Sequence, residues 1–345
     1  MWYNSAVRAT KKNHNGAIDA IRIAAILGVI MIHTTTRILE TSRFDVQNYQ
    51  LTLFLNQAAR FAVPVFFMIS GYVLQLSYKP SAGYFEYLKK RLNRIFVPYV
   101  LWSAIYYLFV YKQHNFSFPT ALMTGAASYQ LYFLPALLVC YLIFPVLYKY
   151  FKKLTENTTL SGLGAAQFGL LYYNYFVKPL PIFYPAGVAL LNIFVFILGM
   201  GAAGNEDRLQ EAVRRNKNIL MICVLFLAGY IFIEGKSRYL QSGNYLAFYS
   251  SWRPSVLVYS IIAAWLMYYF FQKHQIFASL IKTMSGLSFL VFFIHVAVLE
   301  TVWSGAGDLI FRYMPNFGFF ALTAGFSYFT AFALHKIKPL AKFTG

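Results

Sequence analysis

The residues best equipped for chemistry are Asp19, Arg22 and His33, set in the apolar stretch IDAIRIAAILGVIMIHTTT at 18–36. An ionised side chain near the centre of a membrane helix costs about 2.5–3.5 kcal/mol, so such groups face a protein interior or a wet cavity. Arg22 and His33 stand eleven positions apart. At about 100° and 1.5 Å per residue, that spacing puts both on one helix face about 16 Å apart, able to share a cleft. Histidine titrates near physiological pH, which makes His33 a general base or a nucleophile; the competing reading is a hydrogen-bonded packing residue. Asp19, three residues before Arg22, is spaced for an ion pair that settles the guanidinium at the membrane interface.

Two further stretches carry charge into apolar surroundings. In LKKRLNRIFVP, 88–98, Lys90, Arg91 and Arg94 are expected at the start of a membrane helix. There the arginine forks add to unpaired N–H groups and the positive helix end to make an anion site, with an ordinary positive membrane flank as the competing explanation. In ARFAVPVFFMISGY, 59–72, Arg60 needs a partner or water, while Pro64, Ser70 and Gly71 mark a kink or close helix packing. Tyr132, His295 and Glu300 are polar groups at membrane depth. Zinc hydrolase, nucleotidase and serine hydrolase motifs are missing, and Cys140 and Cys223 sit inside apolar runs, so no metal site or disulfide is expected.

The elements that position these groups are membrane helices. Of 345 residues, 59% are hydrophobic and 20% aromatic, with only 12% charged, too little polar surface for a water-soluble globule of this size. The net charge of +19 does not indicate nucleic acid, because the basic residues punctuate apolar runs. About ten spans are expected, near 18–36, 53–77, 95–112, 129–148, 160–177, 184–203, 218–234, 254–272, 285–303 and 316–335, the fifth interrupted by Ser161, Gln167 and Asn174. With the N-terminus inside, twenty of the 30 Lys and Arg fall on the cytoplasmic side and eight on the other, leaving Arg22 and Arg60 within spans. The fold class is therefore an all-α, polytopic membrane helical bundle with both termini cytoplasmic. Residues 1–345 form a single membrane-embedded domain, and the basic segment 1–17 lacks a signal-peptide cleavage site. The longest outer loop, 234–254, is expected to cap the outer mouth, with Arg60 and the region from Arg238 to Arg253 on the acceptor side.

Several motifs in order resemble the acyltransferase type 3 family of integral membrane acyltransferases. IDAIRIAAILGVIMIH matches its first-helix Arg or Lys and His separated by ten residues, here Arg22 and His33. VPVFFMISGY resembles its second-helix block, RLNRIFVPY its Arg-x-x-Arg motif, YFLPALLVCYLIFP its fourth helix, and SGLSFLVFFIH its late serine-to-histidine helix. The flavour is closest to bacterial surface-polysaccharide O-acetyltransferases of the enterobacterial-common-antigen type. Two departures are Tyr132, where family members often carry Trp, and no hydrolase-like domain after the membrane unit.

The resemblance implies transfer of an acetyl or other acyl group from acyl-CoA to a sugar hydroxyl of a surface polysaccharide or its lipid-linked precursor, at the cell inner membrane. Arg91, Arg94 and Lys90 would hold the CoA phosphates. Arg22, beside Asp19, would line the entrance, and a tunnel would carry the thioester to His33 as general base or acyl relay. Arg60, Ser70, Tyr132 and His295 would serve the acceptor. Membrane lipid and a glycan are the implied partners, no metal is implied, and a homo-oligomer is compatible. A proton-coupled transporter or flippase of a glycan or organic anion is the rival reading, with Arg22, His33 and Arg60 lining its path.

Overall fold

A computed structural model describes residues 15–41, 49–111, 116–180, 184–242, 250–273, 277–313 and 315–337. The described residues contain helices and no strand. Helix α1, Gly16–Thr41, lies at the centre and packs against five neighbours: α2 (Tyr49–Ala58), α3 (Ala62–Ser77), α12 (Pro254–Lys273), α13 (Ala278–Tyr313) and α14 (Phe317–Lys336). Its entry is fixed by Asn15, whose Oδ1 accepts from the N–H groups of Ala17 at 3.1 Å and Ile18 at 3.4 Å, meeting donors that the first helical turn leaves open. The Asn15 amide nitrogen then donates to the hydroxyls of Tyr72 and Tyr268, tying the start of α1 to α3 and α12.

The periphery is built from α4 (Tyr84–Ile105), α5 (Phe118–Thr124), α6 (Phe133–Lys149), α7 (Phe151–Leu154), α8 (Asn157–Tyr172), α9 (Ala186–Leu190), α10 (Ile193–Ala202) and α11 (Glu206–Ser242). Among the described residues, six helical runs are long and apolar enough to cross a membrane: Gly16–Glu40, Tyr49–Ser77, Glu206–Gln241, Pro254–Lys273, Ala278–Ile310 and Phe317–Lys336. The other four expected stretches also fall on helix but are short, charged or broken. The 184–203 stretch divides into α9 and α10, and Gln167 of α8 holds the break: its amide nitrogen donates to Leu191 O at 3.3 Å and its Oε1 accepts from Phe194 N at 3.4 Å. Gln167, one of the polar residues that interrupt the fifth stretch, is thus a partner for backbone released next door. Asn174 does the same, accepting from Leu180 N at 2.9 Å.

Two expectations, the loop at 234–254 and the helix start at Arg91 and Arg94, are corrected. Residues 234–242 belong to α11, whose 37 residues run about 55 Å, longer than a bilayer core, because nothing at Glu234 or Gly235 forces the helix to stop. Helix α4 likewise begins at Tyr84, so Arg91 and Arg94 lie well inside it, where their N–H groups are already bonded within the helix. The anion-site argument there loses the helix end and keeps the side chains.

Between Ala59 and Phe61 the chain tightens into a 3₁₀ turn before continuing as α3. Pro64 has no N–H to offer the carbonyl four residues earlier, that of Arg60, so the turn falls where the helix ladder is interrupted. Further on, α3 meets α10 at reciprocal glycines. A Cβ on Gly71 would lie 2.0 Å from Phe196 O, and one on Gly199 would lie 1.9 Å from Met68 O, so each helix backbone rests on the other. This is the close packing expected at Gly71. Gly71→Ala and Gly199→Ala are each expected to cost about 1–3 kcal/mol by overpacking. Gly229→Ala, where nothing lies within 4 Å, is expected to be neutral. Thermal unfolding in detergent checks all three.

Candidate active site

Helices α1 and α13 run side by side and meet at three levels: the Arg22–Ser285 hydrogen bond, the His33–His295 ring contact and the Arg37–Glu300 ion pair. At the first, Arg22 Nη1 donates to Asp19 Oδ1 at 3.1 Å and to Ser285 Oγ at 2.8 Å, and Ser285 Oγ donates to the same Asp19 oxygen at 2.6 Å. The Asp19–Arg22 ion pair is therefore present and is extended to the neighbouring helix. Arg94 on α4 and Tyr141 on α6 are close enough to act on the Arg22 charge. Arg91, Arg94 and Ser70 are in turn close enough to act on the Tyr141 hydroxyl. Arg91 donates to Ser77 Oγ at 2.7 Å, with its guanidinium 5.9 Å from the Tyr87 ring. Lys90 is exposed on the same helix. Helix packing thus gathers Arg22, Arg91, Arg94, Ser70 and Tyr141 at one end of the bundle, a group of cations and hydroxyls suited to a phosphate-bearing donor. Ser70, expected beside the acceptor, stands here.

At the second level, His33 of α1 faces His295 of α13, ring centroids 5.3 Å apart, and Tyr129, 4.7 Å away. His33 opens onto a cavity of about 870 Å³ whose wall includes Arg60, Tyr132, Arg37, Glu300, Arg238 and Trp252. Arg22 does not line this cavity. Between them on α1, Ala25 and Ile26 are fully buried and Val29 reaches the cavity wall.

The cavity wall has an aromatic part and a charged part. Tyr132, Tyr184 and Trp252 stand edge to face or tilted at 6.1–6.4 Å between centroids, a surface that stacks on apolar ring faces. Tyr132 is set by a close backbone approach: Gly125, at φ +77°, comes so near that a Cβ would lie 2.4 Å from Tyr132 Cα. On the charged part, Arg37 pairs with Glu300 at 3.2 Å and lies 5.6 Å from the Trp303 ring, with Glu40 also on the wall. Arg60 is buried, donates to Asn56 Oδ1, and is near enough to His33 to act on its charge.

A buried polar chain holds this end together. Asn56 Nδ2 reaches Ile32 O at 3.1 Å, Thr35 Oγ1 at 2.9 Å and Thr36 Oγ1 at 3.0 Å, gripping α1 on either side of His33. Gln57 donates to Asn56 Oδ1 at 3.2 Å and accepts from Arg253. Arg253 is fully buried, pairs with Glu234 at 3.2 Å and is absent from the cavity wall. It is a structural residue, whereas Arg238, which donates to Tyr175 O at 3.0 Å, does line the cavity.

Sequence reasoning missed Tyr129, whose aromatic side chain carries no mark of proximity to His33, and Tyr106. The Tyr106 hydroxyl donates to Phe293 O at 2.6 Å and accepts from Ala297 N at 3.1 Å, inserting between two groups that bond each other in an unbroken helix. Nothing in the sequence marks either residue, because both act through contacts between distant helices.

The acyltransferase domain family model matches residues 15–336, and the chain belongs to that family. It is an acyltransferase and multi-pass in the membrane. The succinoglycan biosynthesis protein ExoH of Rhizobium meliloti (strain 1021) is 24% identical over 339 residues, covering 90% of this chain and 85% of that protein. The serine/alanine racemase of Enterococcus gallinarum is 30% identical over 201 residues, 52% of this chain but 26% of that protein. No solved structure matches.

Arg253→Met is expected to destabilise the protein by about 3–5 kcal/mol, because it strands the buried Glu234 carboxylate. Adding Glu234→Gln is expected to recover part of the loss, and denaturant unfolding in detergent measures both.

Proposed function

We propose that this chain is an O-acyltransferase that moves an acetyl group from cytoplasmic acetyl-CoA to a sugar hydroxyl of a surface polysaccharide or its lipid-linked precursor. The carrying observation is the position of His33: it lies on the wall of a cavity large enough for a saccharide, on the same helix as Arg22, with the basic group of α4 at the helix's other end. Family membership supplies the acyl donor, and the succinoglycan biosynthesis protein among its relatives supports a glycan acceptor. The aromatic surface of Tyr132, Tyr184 and Trp252 suits the apolar face of a sugar ring, and the Arg37, Glu300 and Arg60 groups suit its hydroxyls.

In this reading residues 1–345 are one membrane domain of about ten spans in the inner membrane. Both termini and the Arg22, Arg91 and Arg94 cluster are cytoplasmic, in keeping with the excess of Lys and Arg on that side. Arg91, Arg94 and Lys90 hold the phosphates of CoA, Arg22 and Asp19 form the entrance, and the thioester extends between helices toward His33. Neutral His33 removes the proton of the acceptor hydroxyl as its oxygen attacks the thioester carbonyl. The carbon–sulfur bond breaks, and the imidazolium returns the proton to the departing thiolate, giving the ester and CoA. Arg60, Tyr132 and Tyr129 hold the acceptor against His33.

Purified protein incubated with labelled acetyl-CoA and a lipid-linked glycan extract tests this reading. His33→Ala is expected to lower transfer by about 100-fold or more with CoA binding retained. Arg91→Ala and Arg94→Ala are each expected to raise the Kd for CoA by about tenfold, the loss of one charge-assisted hydrogen bond. A protein that carries glycan or anion across a membrane and never consumes acetyl-CoA would be a transporter instead. Label held on the protein before transfer would replace the base mechanism with an acyl-histidine relay.

A further inference from the structure

His295 is a buried titratable group that the reaction above does not use. It lies 0% exposed on α13, outside the cavity wall, with His33 between it and the cavity. We infer that His295 is a positioning residue for His33: its Nε2 lone pair accepts the ring N–H of His33 and so keeps the other His33 nitrogen bare toward the acceptor hydroxyl. The inference rests on His33 being the base proposed above.

Three observations carry it. First, His295 Nδ1 lies 2.8 Å from Phe292 O and 3.2 Å from Val291 O, both acceptors. A neutral ring can meet a carbonyl only through N–H, so the hydrogen is on Nδ1 and the lone pair on Nε2. Second, that Nε2 is buried and has no hydrogen-bond partner among the described residues, a state that native interiors rarely leave without purpose. Third, the two rings are 5.3 Å apart between centroids and inclined by 31°. A bond of about 2.9 Å between ring nitrogens places two imidazole centroids about 5 Å apart, so the separation is already that of a hydrogen bond and a rotation of the His33 ring completes it. Catalytic hydrogen bonds commonly tighten in this way when substrate enters.

The surroundings fix the acceptor in place. Tyr106 clamps Phe293 O and Ala297 N on either side of His295, and Tyr129 limits His33 from another side at 4.7 Å. The bond decides which His33 nitrogen carries hydrogen. A base that exchanged its two tautomers would present N–H to the acceptor for part of the time, and a donor cannot remove a proton.

The amide variants separate this role from packing. Glutamine places its Oε1 near the position of the histidine Nε2, whereas asparagine is too short to reach. Inverted membrane vesicles containing the full chain and the cell's own glycans are assayed with labelled acetyl-CoA. His295→Asn is expected to lower kcat roughly 100-fold, with KM for acetyl-CoA within about twofold, and His295→Gln to retain activity within about tenfold of wild type. Equal activity of the two variants, or a loss confined to KM, would overturn the inference. If the variants fail to accumulate, ¹⁵N-histidine spectra of the wild-type protein decide: one fixed neutral tautomer at His33 supports it, and an average of two refutes it. Wild type unable to use acetyl-CoA would refute the transferase reading itself, while active wild type with inactive His33→Ala and equal His295 variants would remove only this inference.

Discussion

The structure depends on the side-by-side packing of α1 and α13, two largely apolar helices joined at polar levels. A charged or hydrogen-bonding group inside a bilayer must find its partner within the protein. At one level Asp19, Arg22 and Ser285 bond one another, at the next His33 stands against His295, and beyond it Arg37 pairs with Glu300. Ser285 and His295 are ten positions apart and Arg22 and His33 eleven, so both helices climb by nearly the same rise, about 15–16 Å, and these two levels stay in register. Sliding either helix by one turn would strand all of these groups in hydrocarbon.

The neighbouring helices serve that pair. Asn56 grips α1 above and below His33, and its link through Gln57 to Arg253 and Glu234 ties α11 and α12 to the same point. Tyr106 intrudes on the backbone of α13 beside His295. Reciprocal glycines let α3 and α10 approach closely, bringing their backbones into contact midway along α3, next to Ser70. Irregular backbone occurs where it is bonded to side chains: the break before α10 rests on Gln167, and the turn after α8 on Asn174.

Much of this was legible in the sequence. The spacing of Arg22 and His33 foretold a shared face, the three-residue interval of Asp19 and Arg22 foretold their ion pair, and Gly71 foretold close packing. Apolar runs located helix throughout, but hydropathy alone could not show that 184–203 breaks in two or that α4 and α11 continue through polar sequence, because a helix end is set by capping and by neighbours as much as by composition. Arg253 was misread as an acceptor-side residue since its partners, Glu234 and Gln57, lie 19 and 196 positions away. Tyr106 and Tyr129 were invisible for the same reason: aromatic residues are common in this chain, and only tertiary packing distinguishes the two that flank the histidines.

In the proposed reaction, donor and acceptor meet from opposite ends of α1. The most direct measurement uses sealed inverted membrane vesicles, cytoplasmic face outward, given acetyl-CoA labelled in both its acetyl and CoA parts. The acetyl label is expected on glycan enclosed in the vesicle while the CoA label stays outside, without any need to permeabilise the membrane. Glycan labelling that begins only after the vesicles are opened, with donor and acceptor admitted to the same side, would contradict it.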